Sequence, residues 1–405
     1  MFRIMISVAA IVLGTVVLQL GNGMVGPTVV LRASAAGEGL AGIGLIPAAY
    51  GVGFVIGCFW GRRLIERIGH IRGFVVAGAL LAALAIAMQL LPNTTAWIFI
   101  RAMMGCSIAV ISTCADSWVG HGTPWALRGR VLGLYAASTK LAHVAAPSLL
   151  ALSPFISDQA ILLAALLFAL SLLPVAMTSM PAPEMEPTQR VSFSILLSAA
   201  PSSIVAAFAI GLANGAILNL LPAHGVSIGL PQAEVLAMLA AAHVGGLVWQ
   251  WPIGMLSDAV DRRVVLAGGL VGAAFVAVAM SVPTVARSDA AIFLVFAWGG
   301  MALSLYSVSL AHAIDHFERD DLLALCATML ITWSIGSVLG PALAGLLMQL
   351  AGADAMFLFG GACQGMAGVF VVFRLLNTVR RKRSSGFVNV PVSSAEIHML
   401  DPRRG

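Results

Sequence analysis

Apolar stretches of about twenty residues or more follow one another along nearly the whole chain, broken only by short polar, glycine or proline segments. A helix rises about 1.5 Å per residue, so about 20 such residues cross a hydrocarbon layer about 30 Å thick. Read between the breaks, twelve candidate spans fall near residues 4–31, 41–61, 73–91, 96–119, 131–152 and 159–179, then near 194–222, 232–257, 264–284, 290–313, 322–350 and 355–376. The expected fold class is an all-α integral membrane protein with 12 transmembrane helices. Only 10% of the residues are charged, against about a quarter in soluble domains, so no large soluble domain is expected. The first stretch far exceeds the roughly 7 to 15 apolar residues of a cleaved secretory signal and reads as a retained span.

The basic residues orient these spans. With the amino terminus placed in the cytoplasm, eighteen of the 22 Lys and Arg residues fall on that side and only Arg32 and Arg287 on the other. Membrane insertion imposes this bias, so both termini are expected in the cytoplasm. The remaining two, Arg101 and Lys140, lie inside spans. The net charge of +5 comes mostly from loops and the tail, which points to orientation in a bilayer and not to nucleic acid. Five cysteines stand singly, without CxxC spacing, and give neither a disulfide framework nor a metal site.

The two halves of the chain echo each other. "LGNGMVGP" around Asn22 resembles "LANGAILNLLP" around Asn214, and Glu66 corresponds to Asp258; both pairs are 192 residues apart, and Pro147 and Pro341 are 194 apart. The expected organisation is a six-helix bundle over 1–179, a linker over 180–193 containing "MPAPEMEPTQR", a second six-helix bundle over 194–376 and a basic cytoplasmic tail over 377–405. Parallel repeats of this kind occur in transporters that rock two bundles about a midplane site.

The loop after span two, "GRRLIERIGHIR", resembles the major facilitator superfamily signature Gly-x-x-x-Asp-Arg-x-Gly-Arg-Arg. Glu66, Arg67 and Gly69 match in place, with Glu for Asp. The second copy, "GMLSDAVDRR", keeps Gly254, Asp258, Arg262 and Arg263 but has Ala259 and Asp261 where Arg and Gly are expected. "RLIERIGHIRGF", "DSWVGHGTPWALRGRVLGLY", "QWPIGMLSDAVDRR" and "SLYSVSLAHAIDH" are similar to the YcaD-like bacterial branch of that family. The resemblance implies a monomeric multi-pass transporter of the bacterial cytoplasmic (inner) membrane, with a small-molecule solute and protons as partners alongside the lipid bilayer. It implies no cofactor and no enzymatic activity. Carboxylates and arginines at a cytoplasmic rim can act as a latch, pairing in one of two states. The candidate latch residues are Glu66, Arg67, Gly69, Asp116, Arg128, Arg130, Asp258, Arg262 and Arg263, with Glu66 pairing Arg128 or Arg130, Asp258 pairing Arg262 or Arg263, and Asp116 pairing a rim arginine. Plain positive-inside anchoring is the competing reading.

Span eleven carries "GSVLGPALAG", whose Gly336, Gly340, Pro341 and Gly345 let helices approach closely and bend. The pattern resembles the Gly-x-x-x-Gly-Pro that the family's antiporters show in span five; here span five keeps Pro147 but has alanines for the glycines. Arg101 and Gly105 in "RAMMG" resemble an element tied to proton coupling in related proteins. On position alone, Arg101 divides between the cavity and snorkelling to the headgroups. Lys140 is about ten residues into its span, too deep for its stem to reach either interface. It shares a small, polar face with Gly133, Ala136, His143 and Pro147. "HAIDH" in span ten reads as a rim cluster and not as a metal site, for want of a Glu and a third ligand.

The candidate substrate-cavity residues are Gln19, Asn22, Arg101, Lys140, His143, Asn214, Asn219, His243, Gln250 and Tyr306; buried amides that merely join helices are the alternative for any one of them. No phosphate-cradling Gly-x-x-x-x-Gly-Lys segment is present, so ATP is not the expected driver. The expected function is secondary active transport of a small organic solute by alternating access, coupled to protons. The cationic excess deep in the first half leans the cargo towards an anion. An amphipathic drug exporter of the same fold, or a membrane sensor or scaffold that has lost transport, are the alternatives.

Overall fold

The computed structural model describes residues 2–123, 125–152, 157–177, 197, 199–317 and 322–377. The first half comprises α1 (Phe2–Ala35), α2 (Leu40–Ile68), α3 (His70–Leu90), α4 (Thr94–Gly122), α5 (Trp125–Leu152) and α6 (Ser157–Ala176). The second comprises α7 (Pro201–Ser227), α8 (Gln232–Ala259), α9 (Arg262–Met280), a one-turn helix at Pro283–Ala286, α10 (Ala291–Ile314), α11 (Leu322–Ala351) and α12 (Ala355–Asn377). Among the described residues, eleven of these helices are long and apolar enough to cross a membrane. Of the twelve long helices the exception is α5, whose hydropathy is lowered by Lys140, His143, Ser138, Thr139 and Pro147. The expected linker at 180–193 and the tail beyond 377 lie outside the described residues.

Helix pairing repeats between the halves. In the first, α2 packs on α4, α1 on α5 and α6, and α3 on α6; in the second, α8 packs on α10, α7 on α11 and α12, and α9 on α12. Small residues set these crossings. Gly53 lies against the Ala102 carbonyl and Gly105 against that of Tyr50, while Gly245 lies against the Phe296 carbonyl and Gly299 against that of Ala242. These glycines recur at the same 192- and 194-residue offsets as the sequence motifs. Backbones in hydrocarbon gain little from apolar contact alone and depend on such close approach. Gly336 and Gly340 serve the α7–α11 crossing, against the carbonyls of Phe208 and Leu212.

Among the described residues the halves are joined by α2 with α11, α5 with α8, α1 with α7 and, less extensively, α2 with α7. At the first, Gly44 lies on the Pro341 carbonyl and Gly345 on that of Leu40, and the Ala41 N–H donates to Gln349 Oε1 at 3.1 Å. The start of α2 therefore meets the end of α11, which puts the start of α1 and the end of α12 at the opposite, terminal end.

The signature segment after span two is not a loop. Helix α2 continues through Arg62, Glu66 and Arg67 to Ile68, and α3 begins at His70. Only Gly69 turns the chain, at φ +83°, its N–H bonded to the Ile65 carbonyl at 2.8 Å. A glycine adopts that conformation without strain. The equivalent turn in the second half is solved differently. Asp261 stands at φ −61° and caps α9, its carboxylate accepting from the Arg263 N–H at 2.9 Å. An aspartate thus replaces the expected glycine because it supplies a cap where the first copy supplies a left-handed turn.

Candidate functional site

Polar side chains of α1, α2 and α4 gather inside the first half. Arg101 of α4 is only 4% exposed, and its guanidinium lies 4.2 Å from the centre of the Tyr50 ring. This burial rules out snorkelling to the headgroups. The Tyr50 hydroxyl accepts from Asn22 Nδ2 at 3.1 Å, and the same nitrogen lies 3.3 Å from Gln19 Oε1. Arg101 Nε and Nη1 and Asn22 Oδ1 are buried without hydrogen-bond partners. Arg101 Nη2 lies 3.9 Å from the point a Cβ on Gly26 would occupy, so the fork runs alongside α1. Gly105, on the same face of α4, is taken up by the crossing with α2.

A second cationic group bridges the halves. The His143 ring of α5 and the His243 ring of α8 lie 6.0 Å apart, and Lys140 stands three residues before His143, on the same face of α5. Gly23 lets α1 and α5 close on one another at Ala146, which brings His143 Nδ1 to 3.8 Å from the Cβ position of Gly23. Towards the terminal end, Gly133 on the Lys140 face is exposed with open space beside it. Among the described residues neither Arg101 nor Lys140 has a carboxylate within ion-pair distance.

The Major Facilitator Superfamily model matches residues 11–311 and 203–400, nearly the whole chain. The chain belongs to the Major Facilitator Superfamily. It is similar to the "Uncharacterized MFS-type transporter YcaD" of Salmonella arizonae, at 25% identity over 326 residues covering 78% of this chain and 82% of that protein. Its fold is that of the nucleoside transporter NupG, at TM-score 0.71 and 12% identity, covering 91% of this chain and 99% of that one. The E. coli fucose:proton symporter FucP matches at TM-score 0.56 and 17% identity, covering 92% and 99%. Membership of this transporter family makes the chain a multi-pass membrane transporter of the YcaD-like branch and not an enzyme.

The second-half polar residues are more dispersed. Asn214 Nδ2 donates to the Ala302 carbonyl at 3.3 Å, leaving its oxygen buried and unpartnered, and Gln250 Nε2 donates to Ser307 Oγ at 3.4 Å. Asn219 turns back to the Gly215 carbonyl of its own helix at 2.8 Å. Tyr306 is 3% exposed and packs edge-on against Trp333 with ring centres 6.0 Å apart.

At the rim, Glu66 pairs with Arg62 one turn back on α2 at 2.9 Å, while Arg67 and Arg130 are exposed; the Arg128 side chain lies outside the described residues. Asp116 accepts from the Tyr135 hydroxyl at 2.9 Å. Arg262, 2% exposed, pairs with Asp315 at 2.9 Å and reaches Asp258 at 3.5 Å. Arg263 pairs with Asp261 at 3.0 Å. Partial burial pushes the Asp261 carboxyl up, but hydrogen bonds from the Arg263 side chain and backbone outweigh it and hold the group below its ordinary range. The sequence did not point to Tyr50, Tyr135 or the pairing role of Asp315. Of these only Asp315 carried a signal, as the acid of "HAIDH", and Arg262 accounts for it.

Proposed function

We propose that this facilitator is a secondary active transporter of a small organic anion, working by alternating access and coupled to protons. In this reading α5 is the twelfth span, residues 1–179 and 194–376 are the two moving bundles, and both termini lie in the cytoplasm. The observation that carries the anion assignment is the pair of cations inside the spans, Arg101 and Lys140, without a described carboxylate beside either. A charge in hydrocarbon costs at least about 2.5 to 3.5 kcal/mol. Lone charges inside the spans, buried at Arg101 and half-buried at Lys140, are correspondingly destabilising until a counter-charge arrives, and a negatively charged solute supplies one. His143 and His243 are the proposed proton carriers, since imidazole titrates near neutral pH and no carboxylate stands at the centre of a described span. The proton-symporter description of FucP supports the same coupling.

One feature favours an amphipathic drug as cargo instead. A groove of about 480 Å³ between α1 and α5 is walled by aliphatic side chains such as Val12, Val16, Leu134 and Leu141, with Ser138 its one hydroxyl. Reconstitution in vesicles holding a pH-sensitive dye, challenged with organic anions and with lipophilic cations, separates the readings. Anion-dependent flux with dye response is expected; flux of the cations alone would replace the anion reading with the exporter.

A further inference from the structure

The two cationic groups, one on α4 and the other on α5 and α8, lie against neighbouring turns of α1. Arg101 Nη2 lies beside Gly26 and His143 Nδ1 beside Gly23, and Cβ positions three residues apart on a helix are about 5 to 6 Å from one another. Yet the groups are held by different neighbours. Arg101 rests on the Tyr50 ring of α2, whereas His143 faces His243 of α8, with Lys140 one turn before His143 on α5. Arg101 also keeps two buried nitrogens, Nε and Nη1, without partners, part of the planar fork that binds a carboxylate or phosphate in two-point fashion. One acidic group docked on that fork leaves the Lys140 group unmatched, and the reverse holds equally.

We infer that the solute carries two acidic groups joined by a short chain, one received by Arg101 and the other by Lys140, His143 and His243. The inference rests on the anion reading above and narrows it to a small dianion. It also gives the solute a mechanical role. His243 belongs to the second half and Lys140, His143 and Arg101 to the first, so an acid on the second group touches both halves and the other acid of a dianion adds Arg101 to that tie, which a monoanion cannot do.

The test measures binding by the full chain in detergent micelles of straight-chain dicarboxylates of three to six carbons, each beside its monoamide and its diamide. The amides keep the size and remove one charge or both. Dissociation constants are expected to rise roughly tenfold or more for each carboxylate replaced, as for hydrogen bonds to charged groups. Arg101→Gln and Lys140→Gln are each expected to bind the diacid no better than wild type binds the monoamide. Arg101→Lys, which keeps the charge and loses the fork, guards against misfolding and is expected to retain a weaker preference for the diacid. Equal binding of diacid and monoamide, with both weakened by Lys140→Gln, overturns the dianion and leaves the anion reading standing. Failure of every diacid to bind also overturns it. Diamides that bind as well as diacids and are unaffected by Lys140→Gln overturn both.

Discussion

Gly44→Val is expected to prise the halves apart at one end of the molecule only. A Cβ at Gly44 falls on the Pro341 carbonyl oxygen and within 3.1 Å of Gly345 Cα. Those are backbone atoms of α11 and cannot swing aside as a side-chain tip would. Overpacking of this kind costs about 1–3 kcal/mol. The cost applies only while α2 and α11 are in contact, so it shifts the balance between closed and parted states by about fivefold to 150-fold. The contact is read by cysteines placed at Ala41 and Gln349, which lie together through the 3.1 Å hydrogen bond, joined by a short bifunctional thiol reagent. Single-cysteine controls account for the five native thiols, of which Cys58 and Cys106 are only partly buried. Gly53→Val is the matched comparison, because its clash is with the Ala102 carbonyl inside the first half. It is expected to lower thermal stability without changing the cross-link. The reasoning is refuted if Gly44→Val leaves the cross-linked fraction unchanged, or if Gly53→Val reduces it equally.

Tyr50→Phe keeps a ring under Arg101 and removes the acceptor used by Asn22, costing about 1 kcal/mol. Tyr50→Ala also removes the cation–π contact, worth about 2 kcal/mol when desolvated, and thermal denaturation in detergent should rank the two in that order. Arg262→Ala breaks the 2.9 Å pair with Asp315, whose side chain is 8% exposed, and is expected to cost up to about 3–5 kcal/mol; Arg62→Ala breaks a solvated pair and should cost under about 1 kcal/mol. Asp261→Ala removes the cap of α9 for about 0.5–2 kcal/mol, and Asp261→Asn restores most of it. Because Arg263 holds the Asp261 carboxyl low, its contribution is present at neutral pH and fades as pH falls through that lowered range. A pH series of wild type beside Asp261→Asn should show the loss in wild type alone.

Composition and periodicity carried the architecture a long way. The 192-residue register between Asn22 and Asn214 reappears as matched helix crossings, because the same small residues that mark the repeat also set the backbone distances. Lys140 was legible as a charge within an apolar stretch, since its place in that stretch is read from the sequence itself. What it faces was not: the approach of His143 to His243 depends on how α5 meets α8, and no local pattern encodes that. Tyr50 was invisible for the same reason, being an ordinary aromatic until Arg101 of another helix is laid across it. At the rim the helix outruns the apolar run. Charged residues past the bilayer edge still favour helix, so Glu66 meets Arg62 on its own helix, one turn away.

Solute-driven flux in vesicles reconstituted with wild type and, side by side, with Lys140→Ala addresses the central claim most directly. Lys140→Ala is expected to insert normally and to lose or redirect the anion-dependent flux that wild type shows. Wild-type flux in that variant would make Lys140 a structural residue, and no solute-dependent flux in either protein across a broad panel would contradict transport of an organic anion altogether.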